Sequence, residues 1–114
     1  MNKLIISGKN KLNGKVRLTA AKNAVLPLIA ACLLTKEEVV FYDVPELSDV
    51  AAMIELIKSL GCRAEQCGNM LAIKCESVDP KKIDNDVVRK IRSSFFLLGA
   101  LLARTGEAYI HTPG

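Results

Sequence analysis

Hydrophobic and polar positions along this 114-residue chain fall into a few distinct periods. Positions 20–34, AAKNAVLPLIAACLL, are apolar except for Lys22 and Asn23, which predicts a helix buried on most sides. Pro27 qualifies it: either the helix kinks there, or its regular part starts near Pro27 and Lys22–Asn23 form an irregular lead-in. Short apolar runs at 3–7, KLIIS, and 15–19, KVRLT, read as strands joined through Asn13-Gly14. EVVFYDV, 38–44, reads as a strand ended by Pro45. Ser48 is the expected N-cap of a helix over 49–60, with Val50, Met53, Ile54 and Ile57 at helical spacing and Gly61 as its stop. RAEQC, 63–67, and MLAIKC, 70–75, form a hairpin through Gly68-Asn69. Polar residues 76–85, with Pro80, read as a surface connection. A helix over 86–104 follows, with Arg89, Lys90 and Arg92 at its front and FFLLGALLA behind; Gly106 ends it, and EAYIHT, 107–112, reads as a strand. Helices alternate with strands, so the fold class is α/β.

The end of the chain echoes its middle. LLTKEEVVFYDVP, 33–45, aligns without gaps on LLARTGEAYIHTP, 101–113, with Lys36 on Arg104, Phe41 on Tyr109 and Pro45 on Pro113. The same offset puts Lys22 on Lys90 and the apolar helix 24–34 on 92–102. This divides the chain into a complete unit over 20–85 and the start of a second over 86–114. The second unit lacks counterparts of the helix at 49–60 and the hairpin at 63–75. Apolar surface on 86–104 and an open strand edge are therefore expected, with the remainder of a longer chain or self-association as their cover.

Composition narrows the function classes. Half the residues are hydrophobic, a quarter are charged, and the net charge is +4, which is the balance of a soluble domain tolerant of an anionic partner. The two tyrosines and three phenylalanines do not interleave with cations, which argues against a nucleic-acid stacking surface. No apolar run approaches the roughly 20 residues of a membrane span or forms a secretory core, so a cytoplasmic, non-membrane location is expected. Cys32, Cys62, Cys67 and Cys75 show no metal-ligand spacing and read as free thiols, although Cys67 and Cys75 could face one another across the hairpin.

Lys22 is the first candidate for chemistry. The N-terminal end of a helix carries partial positive charge, so a cation there is a misfit that a bound phosphate or carboxylate would neutralise. An exposed lysine in a loose first turn, at a cost of a few tenths of a kcal/mol, explains it equally well. Arg89 and Arg92 share a helix face and suit anions, or form a solvated basic face. The repeat favours the anion site slightly, because it sets two basic helix starts in equivalent places. His111 and Asp49 read as structural. There is no Gly-rich phosphate loop and no Ser-His-Asp set.

LNGKVRLTAAKNAVLPLIAACLL, DVPELSDV and IRSSFFLLGALLARTGEAYIHTPG resemble signatures of the UDP-N-acetylglucosamine 1-carboxyvinyltransferases, a branch of the enolpyruvyl transferase family, across essentially the whole chain. The resemblance implies repeated βαβαββ units of the inside-out α/β barrel type, with residues 1–19 forming a hairpin that belongs to the family's second domain. It implies transfer of the enolpyruvyl group of phosphoenolpyruvate to the 3-hydroxyl of UDP-N-acetylglucosamine in peptidoglycan synthesis, with no cofactor. Lys22 would contact phosphoenolpyruvate, Asn23 the sugar nucleotide, and Arg92 anionic ligand groups. The family's general-acid cysteine is expected just after Gly114, so the fragment alone is expected to be inactive. Thr19-Ala20-Ala21 replaces the usual Ser-Gly-Ala, and Phe96 stands where tryptophan is common. The rivals are a shikimate-type enolpyruvyl transferase, which carries Ser-Lys-Ser where this chain has Ala-Lys-Asn, and a non-catalytic ligand-binding or assembly module.

Overall fold

A computed structural model describes residues 2–17 and 22–111. Helix α1, Lys22–Ala31, runs on into a 3₁₀ turn at Cys32–Leu34. Strand β1, Val39–Phe41, precedes α2, Ser48–Ser59, and the hairpin of β2, Arg63–Cys67, and β3, Met70–Lys74. A 3₁₀ turn at Pro80–Lys82, the short helix α3, Asn85–Val88, a 3₁₀ turn at Arg92–Phe95 and helix α4, Phe96–Thr105, complete the order.

The three strands form one sheet in the order β1-β3-β2. β3 is antiparallel to both neighbours, so β1 and β2 run parallel on either side of it, linked by α2. Val39 pairs with Ile73 and Phe41 with Leu71, while Ile73 and Leu71 face Ala64 and Gln66 on the other side. Period-two alternation sends Leu71 and Ile73 into the core. α2 buries Val50, Met53, Ile54, Leu56 and Ile57, and packs on β2 and α1. α1, the 3₁₀ turn after it and α4 pack together and contribute Ile29, Leu33, Leu97 and Leu101, all fully buried. Gly68, at φ +60°, turns the hairpin. Asp43, at φ +58°, accepts from the Asn69 side chain at 3.0 Å, and Val44 N donates to Asn69 O at 2.8 Å, tying the exit of β1 to the hairpin tip.

Several elements differ from the sequence reading, each for a local reason. Residues 3–7 and 15–17 form no strand and are exposed; an isolated two-strand ribbon has no third strand or helix to bury a face. Positions 18–19, the end of that second segment, lie outside the described residues, as do 20–21. α1 is helical from Lys22 and passes through Pro27, so the polar pair occupies a regular first turn rather than an irregular lead-in. α2 begins at Ser48, with Leu47 at the cap position and no side-chain cap bond, which moves the expected N-cap one residue inward. The expected helix over 86–104 is broken. Asp84 caps α3, accepting from Asp86 N and Val87 N, and Ile91 is extended at φ −134° and ψ +136° with its side chain buried. The break leaves Arg89 at the C-terminal end of α3, where the helix dipole favours a cation, rather than at the front of one long helix, where it does not. Arg89 and Arg92 consequently share no helix face; Arg89 approaches Asp86 at 3.8 Å. Residues 107–111 carry no strand, since no partner strand lies beside them.

The two apolar helices that the sequence alignment equates are α1 and α4, and they differ in setting: the 3₁₀ turn follows the first and precedes the second. Leu28, Leu34, Phe95, Phe96, Leu98 and Leu102 leave substantial surface exposed along this pair. No described helix is long and apolar enough to cross a membrane.

Candidate functional site

Three chain segments meet at the N-terminal end of α1. α1 supplies Asn23 and Leu26, the first turn of α2 supplies Asp49, and the turn into α4 supplies Lys90, Ile91, Arg92, Ser93 and Phe96. Together they line a hollow of about 470 Å³. Each is placed by local chemistry. Pro27 has no N–H, so it withholds the donor that would otherwise close onto the Asn23 carbonyl from four residues on. Burial of Ile91 and Ser94 pins the turn on either side of Arg92, and Ser94 Oγ donates to Ile91 O at 3.0 Å. Arg92 itself is exposed. α1 carries no acidic residue in its own first turn to offset the positive end of the helix.

Two of the three residues expected to bind substrate, Asn23 and Arg92, therefore share one hollow. Lys22 opens α1, and its side chain lies outside the described residues. Lys90, which the repeat equated with Lys22, is present in the hollow, and Arg89 is not among its lining residues. Asp49, read from sequence as structural, also lines it. Ser93 was missed altogether; its hydroxyl is buried without a hydrogen-bond partner among the described residues, and no sequence period marks it. His111 lies elsewhere, its backbone N–H donating to Asn85 Oδ1 at 3.4 Å. No cysteine lines the hollow.

A second constellation holds the site's frame together. The Arg104 guanidinium donates to the carbonyls of Leu33 at 2.6 Å, Thr35 at 3.2 Å, Cys75 at 2.8 Å and Glu76 at 3.2 Å. It clamps the end of the first apolar helix to the end of β3. Sequence gave one hint, the match of Arg104 to Lys36 in the repeat.

Comparison with known proteins decides the kinship. A model of the family "EPSP synthase (3-phosphoshikimate 1-carboxyvinyltransferase)" matches residues 6–114. The chain belongs to this enolpyruvyl transferase family. Its curated relatives include UDP-N-acetylglucosamine 1-carboxyvinyltransferases of Thermotoga maritima, 42% identical, and Methylacidiphilum infernorum, 43% identical, each over 114 residues covering 100% of this chain and 27% of the relative. The chain thus spans about a quarter of the length of these relatives. The enolpyruvyl transferase NikO from Streptomyces tendae superposes with a TM-score of 0.74 at 27% identity, over 89% of this chain and 24% of that one.

Proposed function

We propose that this chain is part of an enzyme that moves the enolpyruvyl group of phosphoenolpyruvate onto the 3-hydroxyl of UDP-N-acetylglucosamine, in the cytoplasm, for peptidoglycan synthesis. The observation that carries the reading is the convergence of Asn23, at the start of α1, and Lys90 and Arg92, before α4, on one hollow. Its relatives of 42–43% identity bear the name of that transferase, which favours the sugar nucleotide over a shikimate-type acceptor.

In this proposal the hollow is one wall of the substrate cleft. Lys22 and Arg92 hold the phosphate and carboxylate of phosphoenolpyruvate, and Asn23 orients the sugar nucleotide. A guanidinium offers paired donors in a plane that matches either anion. The reaction adds the acceptor hydroxyl across the enol double bond and then expels phosphate. Charge moves from the bridging oxygen to the departing phosphate, and fixed cations lower the energy of that shift without reorganising. Binding and charge stabilisation are the roles given to this segment. Proton delivery to the enol carbon is assigned to a group outside it, since the hollow has no thiol. Residues 1–19, 20–85 and 86–114 would then be a strand pair of the second domain, a first βαβαββ unit and the start of a second unit, in the inside-out barrel arrangement. The remaining units of the same polypeptide would cover the exposed faces of α1 and α4.

The test is a chimera. Residues 1–114 replace the matching quarter of the Thermotoga maritima relative, and phosphate release is followed with phosphoenolpyruvate and either UDP-N-acetylglucosamine or shikimate 3-phosphate. Release with the sugar nucleotide alone is the expected result. A folded chimera that is silent with both acceptors, or that prefers shikimate 3-phosphate, overturns the assignment.

A further inference from the structure

Three buried thiols lie away from the hollow, and the proposed reaction uses none of them. Cys62, Cys75 and Cys32 are buried, whereas Cys67 is exposed. The strand register fixes their relations. Arg63 pairs with Lys74, so Cys62 and Cys75 are the next residues outward and stand opposite one another. Cys67 pairs with Met70, which corrects the expectation that Cys67 could face Cys75.

The phase of the ladder also matters. A two-residue loop, Gly68-Asn69, makes Cys67 and Met70 a hydrogen-bonded pair, and the alternation then runs outward. Counting outward through the five pairs brings Cys62 and Cys75 to a non-hydrogen-bonded position. Opposed Cα atoms there are about 4.5 Å apart, with side chains closest, inside the range a disulfide spans. The backbone agrees. Cys62 N donates to Ile57 O at 3.1 Å and Cys75 O accepts from Arg104 at 2.8 Å, so neither of these groups bonds across the pair.

The two thiols act on each other's titration: Cys75, with burial adding to it, pushes the Cys62 thiol up from its ordinary value, and Cys62, with Arg104 adding to it, draws Cys75 down. Cys32 donates to the Leu28 carbonyl, with its sulfur 3.5 Å from that oxygen, and burial, followed by the charge of Cys75, raises its pKa to about 11.

We propose that Cys62 and Cys75 are a redox-active dithiol that closes to a disulfide when the chain meets a peroxide. Both thiols are buried, so local opening at the base of the hairpin admits the oxidant. The Cys75 thiolate sulfur attacks one oxygen of hydrogen peroxide, the O–O bond breaks and hydroxide leaves, giving a sulfenic acid. The Cys62 sulfur then attacks the Cys75 sulfur. Its proton leaves with the displaced hydroxyl as water, and the S–S bond forms. Two thiols and one hydrogen peroxide become one disulfide and two waters.

The experiment treats the folded chain with hydrogen peroxide, blocks remaining thiols with N-ethylmaleimide, and maps tryptic peptides without reduction. Cleavage after Lys58, Arg63, Lys74 and Lys81 isolates Cys62 in 59–63, Cys67 in 64–74 and Cys75 in 75–81. The expected result is a 59–63 to 75–81 linked peptide, two hydrogens lighter than the sum of its parts, formed equally in Cys67→Ser and reversed by dithiothreitol. Cys62→Ala should abolish the link and leave Cys75 as a sulfenic or higher acid. If Cys62→Ala fails to fold, the map of the unaltered chain decides alone. A Cys32–Cys75 link, oxidation confined to Cys67, or full alkylation of both Cys62 and Cys75 overturns the proposal.

Discussion

Replacing Arg104 with methionine is expected to destabilise the chain by about 3 kcal/mol, through two stranded carbonyls costing about 1–3 kcal/mol each. The guanidinium spans four backbone oxygens, but they differ in value. The two shortest bonds, 2.6 Å to Leu33 O and 2.8 Å to Cys75 O, serve residues that are fully buried. The bonds to Thr35 O and Glu76 O, both 3.2 Å, serve a half-buried and an exposed residue, where water reaches the carbonyls and takes the place of the lost donor. Methionine keeps most of the apolar stem, so the loss reports the donors rather than a cavity. The assay is urea unfolding followed by far-UV circular dichroism. With a slope of about 1–3 kcal/mol/M for a small domain, the midpoint should fall by about 1–3 M. Arg104→Lys should recover less than half of that, because one ammonium cannot reach both segments in a fixed fork. A methionine variant within about 0.5 kcal/mol of the parent, the range of an ordinary surface change, would refute the clamp.

Further outcomes follow from single residues. Gly61 sits at φ +108°, and a Cβ there would lie 3.1 Å from the Ser77 carbonyl oxygen, so Gly61→Ala should cost about 1–3 kcal/mol by the same unfolding assay. Asp84 caps α3 through Asp86 N and Val87 N, and Asp84→Ala should cost about 1 kcal/mol, read as a lower urea midpoint. Cys32 has its pKa raised by burial from 9.0 to about 11, so the folded state holds this proton more tightly than the unfolded chain. Its contribution is complete below pH 9.0 and is lost as pH rises toward about 11; urea midpoints should fall over that window, less steeply in Cys32→Ala.

How much was legible in the sequence depended on whether a signal was local. α2 and the β2–β3 hairpin were read nearly to the residue, because Val50, Met53, Ile54 and Ile57 keep one period and Gly68-Asn69 fixes the turn. The helix expected over 86–104 failed because buried apolar residues on both sides of Ile91 mimic a continuous period, while the break there comes from capping by Asp84 and tertiary burial of Ile91. The segments over 3–7 and 15–17 carry strand composition but lack a partner, and composition cannot report that. Within the site, Asn23 and Arg92 were found through charge at helix starts and family signatures. Asp49 and Ser93 enter the hollow only through the packing of α2 against the 92–95 turn. The clamp made by Arg104 was not legible beyond its repeat match to Lys36 for a related reason: its partners are backbone carbonyls, which leave no trace in side-chain pattern.

The central claim is that the start of α1 and the turn before α4 grip one anionic ligand between them. Its most direct test is a ¹⁵N NMR titration of the chain with phosphoenolpyruvate. The amides of Asn23, Lys90, Arg92 and Ser93 should shift together and saturate at one dissociation constant. Arg92→Ala should weaken binding by about 10-fold or more, the value of one charge-assisted hydrogen bond. Shifts confined to one of the two segments, or an Arg92→Ala variant binding as tightly as the parent, would contradict the account.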